Sequence, residues 1–175
     1  RVNIDTGELT ELLSSDHDYS VCDHTSRAGY ADHLAQGVSP SGRYVVTTRS
    51  RVDQVPESLL MTTVQATVTS KKSVTLETAD VSALPANWQW SEPMMAKAAD
   101  GQTDLYAVVF KPSDFDPQQR YPILDCTYSA FTPIGSFTNS SLNYLSAAAY
   151  AELGFIAVMV SQRGGGLRSK AFKQY

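Results

Sequence analysis

Two short loops carry the side chains best suited to chemistry. The first closes the run Tyr121-Pro-Ile-Leu-Asp-Cys-Thr-Tyr128 and continues through Ser129-Ala130-Phe131. The second, Arg163-Gly164-Gly165-Gly166, follows the apolar run Phe155-Ile-Ala-Val-Met-Val160. Each is an apolar strand that gives way to a polar, turn-forming loop, and loops at the carboxyl ends of strands are where open α/β sheets bind ligands. A phenol on a rigid strand end can donate its hydroxyl to developing negative charge, and a preorganised donor of this kind is worth about 3–4 kcal/mol to a transition state. Local sequence alone favours Tyr128 as a packing residue at a sheet edge. Arg163 is expected to be structural, in an ion pair or donating to a carbonyl, while the glycines allow a sharp path and close contact with another segment. A phosphate cradle is disfavoured, because the loop lacks the Lys-Ser/Thr ending of a P-loop and the dinucleotide glycine spacing.

Other constellations are weaker. Gly37-Val38-Ser39-Pro40-Ser41 imitates a nucleophile elbow but has Ser41 in place of the last glycine. It also precedes a β segment, where an elbow needs a strand and then a helix. His17, His24 and His33 lie among Asp16, Asp18, Asp23 and Asp32, yet spacings of 7 and 9 fit no common zinc pattern; they read as turn-capping residues. Asn139-Ser140-Ser141 is a glycosylation sequon, relevant only to a secreted eukaryotic protein. Cys22 and Cys126 match no metal-ligand spacing and read as free buried thiols. No metal or cofactor is expected.

The 175 residues are 42% hydrophobic, with 14 Lys and Arg against 18 Asp and Glu, a net charge of −4. That is enough apolar content for a core, and no basic stretch approaches a nucleic-acid footprint. The longest strongly apolar run, Phe155 to Val160, is far too short to span a membrane. The chain begins at Arg1 without a signal peptide, which suggests a segment of a longer polypeptide.

The elements that must position the two loops change character along the chain. Residues 1–84 read as all-β. Turn signals at Asp5-Thr6-Gly7-Glu8 and Ser39-Pro40-Ser41-Gly42 separate strand candidates at Arg43–Thr48, Ser58–Val68 and Val74–Leu76, suggesting a meander. Residues 85–93 form a linker bounded by Pro85 and Pro93. Strand candidates follow at Met94–Ala99 and Leu105–Phe110, joined by the hairpin signal Asp100-Gly101. Next come a strand over Tyr121–Tyr128, a helix over Ser140–Leu153 capped by Asn139 or Ser140 and stopped at Gly154, and a strand over Phe155–Val160. Strand, helix, strand predicts a right-handed crossover and a parallel pair.

These features resemble the prolyl oligopeptidase and dipeptidyl-peptidase family of serine peptidases. The most specific parts are Phe110-Lys-Pro-Ser-Asp-Phe-Asp-Pro, Tyr121-Pro-Ile-Leu-Asp-Cys-Thr-Tyr and Arg163-Gly-Gly-Gly; Val38-Ser-Pro-Ser-Gly-Arg-Tyr looks like a blade turn of that family's propeller. The resemblance implies a mixed β and α/β fold, with terminal β-propeller strands over residues 1–84 and, over 94–175, the first part of an α/β-hydrolase sheet. It implies that Tyr128, six residues after Pro122, donates to the oxyanion. Ser129-Ala130 stand where the family often has Gly-Gly. The parent would hydrolyse short peptides through an acyl-enzyme, with serine, aspartate and histidine that these 175 residues do not supply, so the chain alone is expected to be inactive. Its partners would be a peptide substrate and the rest of its own propeller and hydrolase domain, with oligomerisation open and a periplasmic or extracytoplasmic location favoured. Residues 111–122 lean to the dipeptidyl-peptidase branch; Phe131 and the Arg163 loop lean to the oligopeptidase branch. Alternatives are a non-catalytic propeller-hydrolase remnant that binds peptides or partners, and an acyl-peptide or ester hydrolase of the same clan.

Overall fold

The computed structural model describes residues 2–20, 37–63, 73–127, 146–165 and 168–174. The described residues are mostly β, with two four-stranded sheets and short helices. The chain's contacts group into two units. These are compact, Arg1–Arg51 with Pro56–Ala79, and Val52–Val55 with Asp80–Tyr175. The division falls at Ala79/Asp80, ahead of the 85–93 stretch read as a linker.

The first sheet contains β1 (Asp18–Ser20), β2 (Tyr44–Arg51), β3 (Gln54–Thr62) and β4 (Ser73–Thr78), side by side in that order. This is the expected meander. Val45 and Thr47 alternate with exposed Tyr44 and Val46, and Leu59 and Met61 are buried on β3, the period of two that a half-covered sheet requires. The turn before β2 forms as the sequence predicts. Gly42 takes φ 64° and donates to the Ser39 carbonyl at 2.8 Å, while Ser39 donates to the Tyr44 carbonyl at 2.9 Å. Strand β3 starts earlier than expected and includes Pro56. The ladder to β4 shifts register between Ser58 and Leu59, a local irregularity of the kind that accommodates such strands. β4 is exposed along its length.

The second sheet contains β5 (Glu92–Lys97), β6 (Asp104–Phe110), β7 (Ile123–Asp125) and β8 (Ile156–Ser161), in the order β5-β6-β8-β7. β5 and β6 form an antiparallel hairpin, β6 and β8 are antiparallel, and β7 and β8 are parallel. The parallel pair expected from the strand–helix–strand pattern is therefore present. Asp100-Gly101 turns the hairpin: Gly101 has φ 68° and donates to the Ala98 carbonyl at 2.9 Å.

Register decides where the core lies. Phe110 pairs with Ala157 and Val108 with Met159, while Leu124 pairs with Ala157 from the other side. These residues share one face. With Cys126 and Val52 they pack against Ala147 and Ala151 of α1 (Ala147–Glu152). Ala157 has no exposed surface, and Ala147 and Ala151 are 1% exposed. Alanine on both elements lets helix and sheet approach closely, leaving Val108 and Phe110 to fill the space at about 1.5–3 kcal/mol each.

Helix α1 is capped by Ser146, whose hydroxyl accepts from the Ala149 amide at 3.3 Å. The cap expected at Asn139 or Ser140 is thus found at Ser146 among the described residues, and it works by the same physics, a short hydroxyl satisfying a first-turn amide. Gly154, at φ 91°, ends the helix as expected and donates to the Ala151 carbonyl. Glu152 accepts from the amide and hydroxyl of Ser113 at 3.1 and 2.8 Å. It thereby ties the helix to the proline-bounded loop after β6, where Pro112 is fully buried. Strand β7 is shorter than the Tyr121–Tyr128 span because its amino end is used otherwise: the Tyr121 hydroxyl accepts from the Asp116 amide, and its ring lies 5.2 Å from that of Phe115.

Leu59 is 2% exposed at the centre of the first sheet. Leu59→Ala should lower stability by about 2–4 kcal/mol, read from the denaturation midpoint; a loss under about 1 kcal/mol would contradict the packing described.

Candidate functional site

Because β7 and β8 are parallel, their carboxyl ends open on the same edge of the second sheet. β6 runs against β8, with Tyr106 opposite Ser161, so the tip of the β5–β6 hairpin reaches that edge too. Three segments meet there: Cys126-Thr127 after β7, Gln162–Gly165 after β8, and Asp100–Thr103.

Thr127 is fastened rather than loose. Cys126 donates its amide to the Val158 carbonyl at 2.8 Å, and the Val160 amide donates to the Thr127 hydroxyl oxygen at 2.9 Å. The Thr127 amide in turn donates to Asp125 Oδ1 at 2.9 Å. A side-chain oxygen thus replaces the next ladder acceptor, and the Asx turn stops the strand. Tyr128, the expected oxyanion donor, follows directly in sequence and lies outside the described residues, as do Phe131, the Asn139 sequon, Cys22, His24, His33 and Gly166. Cys126 is buried and free; burial, then the neighbouring Asp125 charge, pushes its thiol up.

In the loop after β8, Arg163 makes an ion pair with Asp100. Arg163 Nη2 donates to Asp100 Oδ2 at 2.5 Å and also to the Thr103 hydroxyl. The two described glycines are required for different reasons. Gly164 takes φ 84° at the third position of a turn closed by the Gly165 amide on the Gln162 carbonyl, the conformation in which a type II turn excludes side chains. Gly165 has no positive φ, but a Cβ there would sit 2.9 Å from the Gln162 carbonyl oxygen. The contacting segment is α2 (Lys170–Lys173), whose Phe172 carbonyl accepts from the Gly164 amide at 3.0 Å. Arg168 secures the same segment from above. It donates to the Asp104 carbonyl at 2.5 Å, and its guanidinium lies over the rings of Tyr106 and Phe172 at 5.1 and 4.1 Å.

Asp100 is the electrostatic centre of the edge. Its carboxyl is held well below the usual carboxylate range by the amides of Thr103 and Gln102, then by the Thr103 hydroxyl, with the Arg163 charge a smaller contribution. Asp100, Thr103, Thr127 and Arg168 were not singled out by the sequence. The pattern Asp100-Gly-Gln-Thr103 does carry a signal, since an aspartate two and three residues before amides it can accept is a turn-capping arrangement.

The weaker constellations are occupied elsewhere. The Ser39 hydroxyl accepts from the Tyr44 amide at 3.1 Å and meets the Ser41 hydroxyl at 3.2 Å, so it is part of a turn into β2. Asp16 pairs with Arg51 at 2.6 Å, and His17 Nδ1 meets the Ser15 hydroxyl at 2.9 Å. Among the described residues no helix is long and apolar enough to cross a membrane.

No sequence-family model matches the chain, and no curated protein matches it. A crystal structure of a candidate dipeptidyl aminopeptidase IV from Bacteroides ovatus matches with a TM-score of 0.69 and 23% identity, covering 98% of this chain and 22% of that one. The fold is that of the matched segment. This chain spans 22% of the solved protein's length, and identity this low speaks to fold alone.

Two outcomes test this edge. Asp100 titrates lower in the folded state than its unfolded value of about 3.9, so its bonds stabilise fully above that value and are lost as pH falls through the folded one. Melting temperatures of the wild type and Asp100→Asn should differ at neutral pH and converge as pH drops from about 5 toward 2; a gap independent of pH would contradict the assignment. Gly165→Ala should destabilise by about 1–3 kcal/mol through its clash with backbone, and an unchanged melting temperature would contradict the turn geometry.

Proposed function

We propose that this chain is part of a serine peptidase of the prolyl oligopeptidase and dipeptidyl-peptidase kind. Its first unit corresponds to the closing strands of a β-propeller and its second to the opening of an α/β-hydrolase sheet. The observation that carries this reading is the structural match over 98% of the chain to a candidate dipeptidyl aminopeptidase IV. The second sheet supports it independently: an antiparallel hairpin is followed by a helix crossover into a parallel pair, whose carboxyl edge is where such sheets do chemistry.

In this reading Tyr128 donates its hydroxyl to the tetrahedral oxyanion while a serine attacks the scissile carbonyl. A histidine takes the serine's proton and returns it to the leaving amine, oriented by an aspartate. Those three residues come from beyond the 175 residues. What this chain contributes is the donor's platform. Thr127, the residue before it in sequence, is bonded to β8 and to Asp125. Rigidity matters because a donor raises the rate only when it is aimed at the charge of the transition state rather than at the ground state. The propeller strands would limit access to short peptides.

The test is steady-state hydrolysis of short chromogenic peptides by the full protein. Tyr128→Phe should lower kcat by about 10²–10³-fold with little change in KM, as loss of one oxyanion donor does. An unchanged kcat would remove Tyr128 from the mechanism. The 175 residues alone should show no turnover above buffer.

A further inference from the structure

The end of β8 is gripped from both sides. On one side the Val160 amide donates to Thr127 Oγ1, and Val158 accepts from the Cys126 amide. On the other side Val160 and Ser161 pair with Ala107 and Tyr106 of β6. Two residues further on, Arg163 reaches back to the hairpin tip at Asp100 and Thr103. The hairpin tip therefore holds the continuation of the same strand whose Val160 amide donates to Thr127.

We propose that Asp100 is a positioning residue for the reaction: through Arg163 it fixes the end of β8, and through β8 it fixes Thr127 at the carboxyl end of β7. The proposal rests on the peptidase reading above and adds a residue to it. Asp100 is suited to the role because its orientation is set before Arg163 arrives. Its Oδ1 accepts the amides of Gln102 and Thr103, both at 2.9 Å, and Oδ2 accepts the Thr103 hydroxyl at 2.7 Å. Arg163 Nη2 then meets two held acceptors, Asp100 Oδ2 and the Thr103 hydroxyl, and the first of these is a charge-assisted bond. The loop needs such an anchor. Glycines at 164 and 165 permit the turn but leave the chain many alternatives, and the Arg163 contact spans 63 residues of sequence, selecting one of them.

Asp100→Asn tests this role while sparing the two turn amides. An asparagine keeps an Oδ1 acceptor for them, but loses the charge that Arg163 meets and the Oδ2 acceptor of the Thr103 hydroxyl. In the full-length protein, Asp100→Asn should lower kcat on a short chromogenic peptide by about 10–100-fold, the size of effect a small misplacement produces, with KM changed less than about threefold. Thr127→Val removes the acceptor at the other end of the linkage. The Asp100→Asn/Thr127→Val double variant should be little worse than the more damaged single variant, since residues acting through one element are not additive. Hydrogen exchange of the 158–162 amides should be faster in Asp100→Asn. Unchanged kcat with unchanged exchange, a fall confined to KM, or full additivity would overturn the proposal. In a wild type that cleaves no peptide the peptidase reading fails separately, and exchange decides alone: faster exchange upholds the linkage, unchanged exchange overturns it.

Discussion

The second sheet depends on one constraint, the insertion of β8 between β6 and β7. A strand with neighbours on both sides satisfies its backbone groups only if both partners hold register, and it must tolerate burial. β8 meets this with Ile-Ala-Val-Met-Val, a run without the polar alternation of a half-exposed strand. Ala157 sits at the crossing point, opposite Phe110 on one side and Leu124 on the other, with no exposed surface. A larger side chain there would push away the helix that carries Ala147 and Ala151. Register, core and the alignment of strand ends all follow from this placement.

The same placement brings three sequence-distant segments to one edge. Strand β7 leads into Thr127, β8 leads into the Arg163 turn, and the β5–β6 hairpin turns at Asp100. Each end is closed by a side chain substituting for a backbone partner: the Thr127 hydroxyl for the Val160 amide, the Asp125 carboxylate for the Thr127 amide, and the Asp100 carboxylate for two turn amides. Such substitutions stop strands cleanly and leave their ends rigid. A rigid edge is what a preorganised donor requires.

Much of this was legible in the sequence, for identifiable reasons. Strand β8 stood out as a continuous apolar run, α1 by helical spacing ahead of Gly154, and the turn before β2 and the β5–β6 hairpin by Gly42 and Gly101, both at positive φ. The parallel pair followed from strand, helix and strand. What escaped was long-range or side-chain specific. The sequence reading left Arg163 either in an ion pair or donating to a carbonyl, and nothing local selects an aspartate 63 residues earlier. β7 came out short because Tyr121 packs on Phe115 and binds Asp116 rather than extending the ladder. β3 began before Pro56, and its register to β4 shifts between Ser58 and Leu59. Tyr128 rests on resemblance, and its direct neighbour Thr127 is the last described residue before it.

The measurement closest to the central claim is labelling of the protein from its source with a fluorophosphonate probe, followed by mapping of the modified peptide. The account predicts stoichiometric modification of one serine outside residues 1–175, blocked by prior incubation with a peptide substrate analogue. Absence of labelling in the folded protein, or labelling of a serine within these residues such as Ser39, would contradict it.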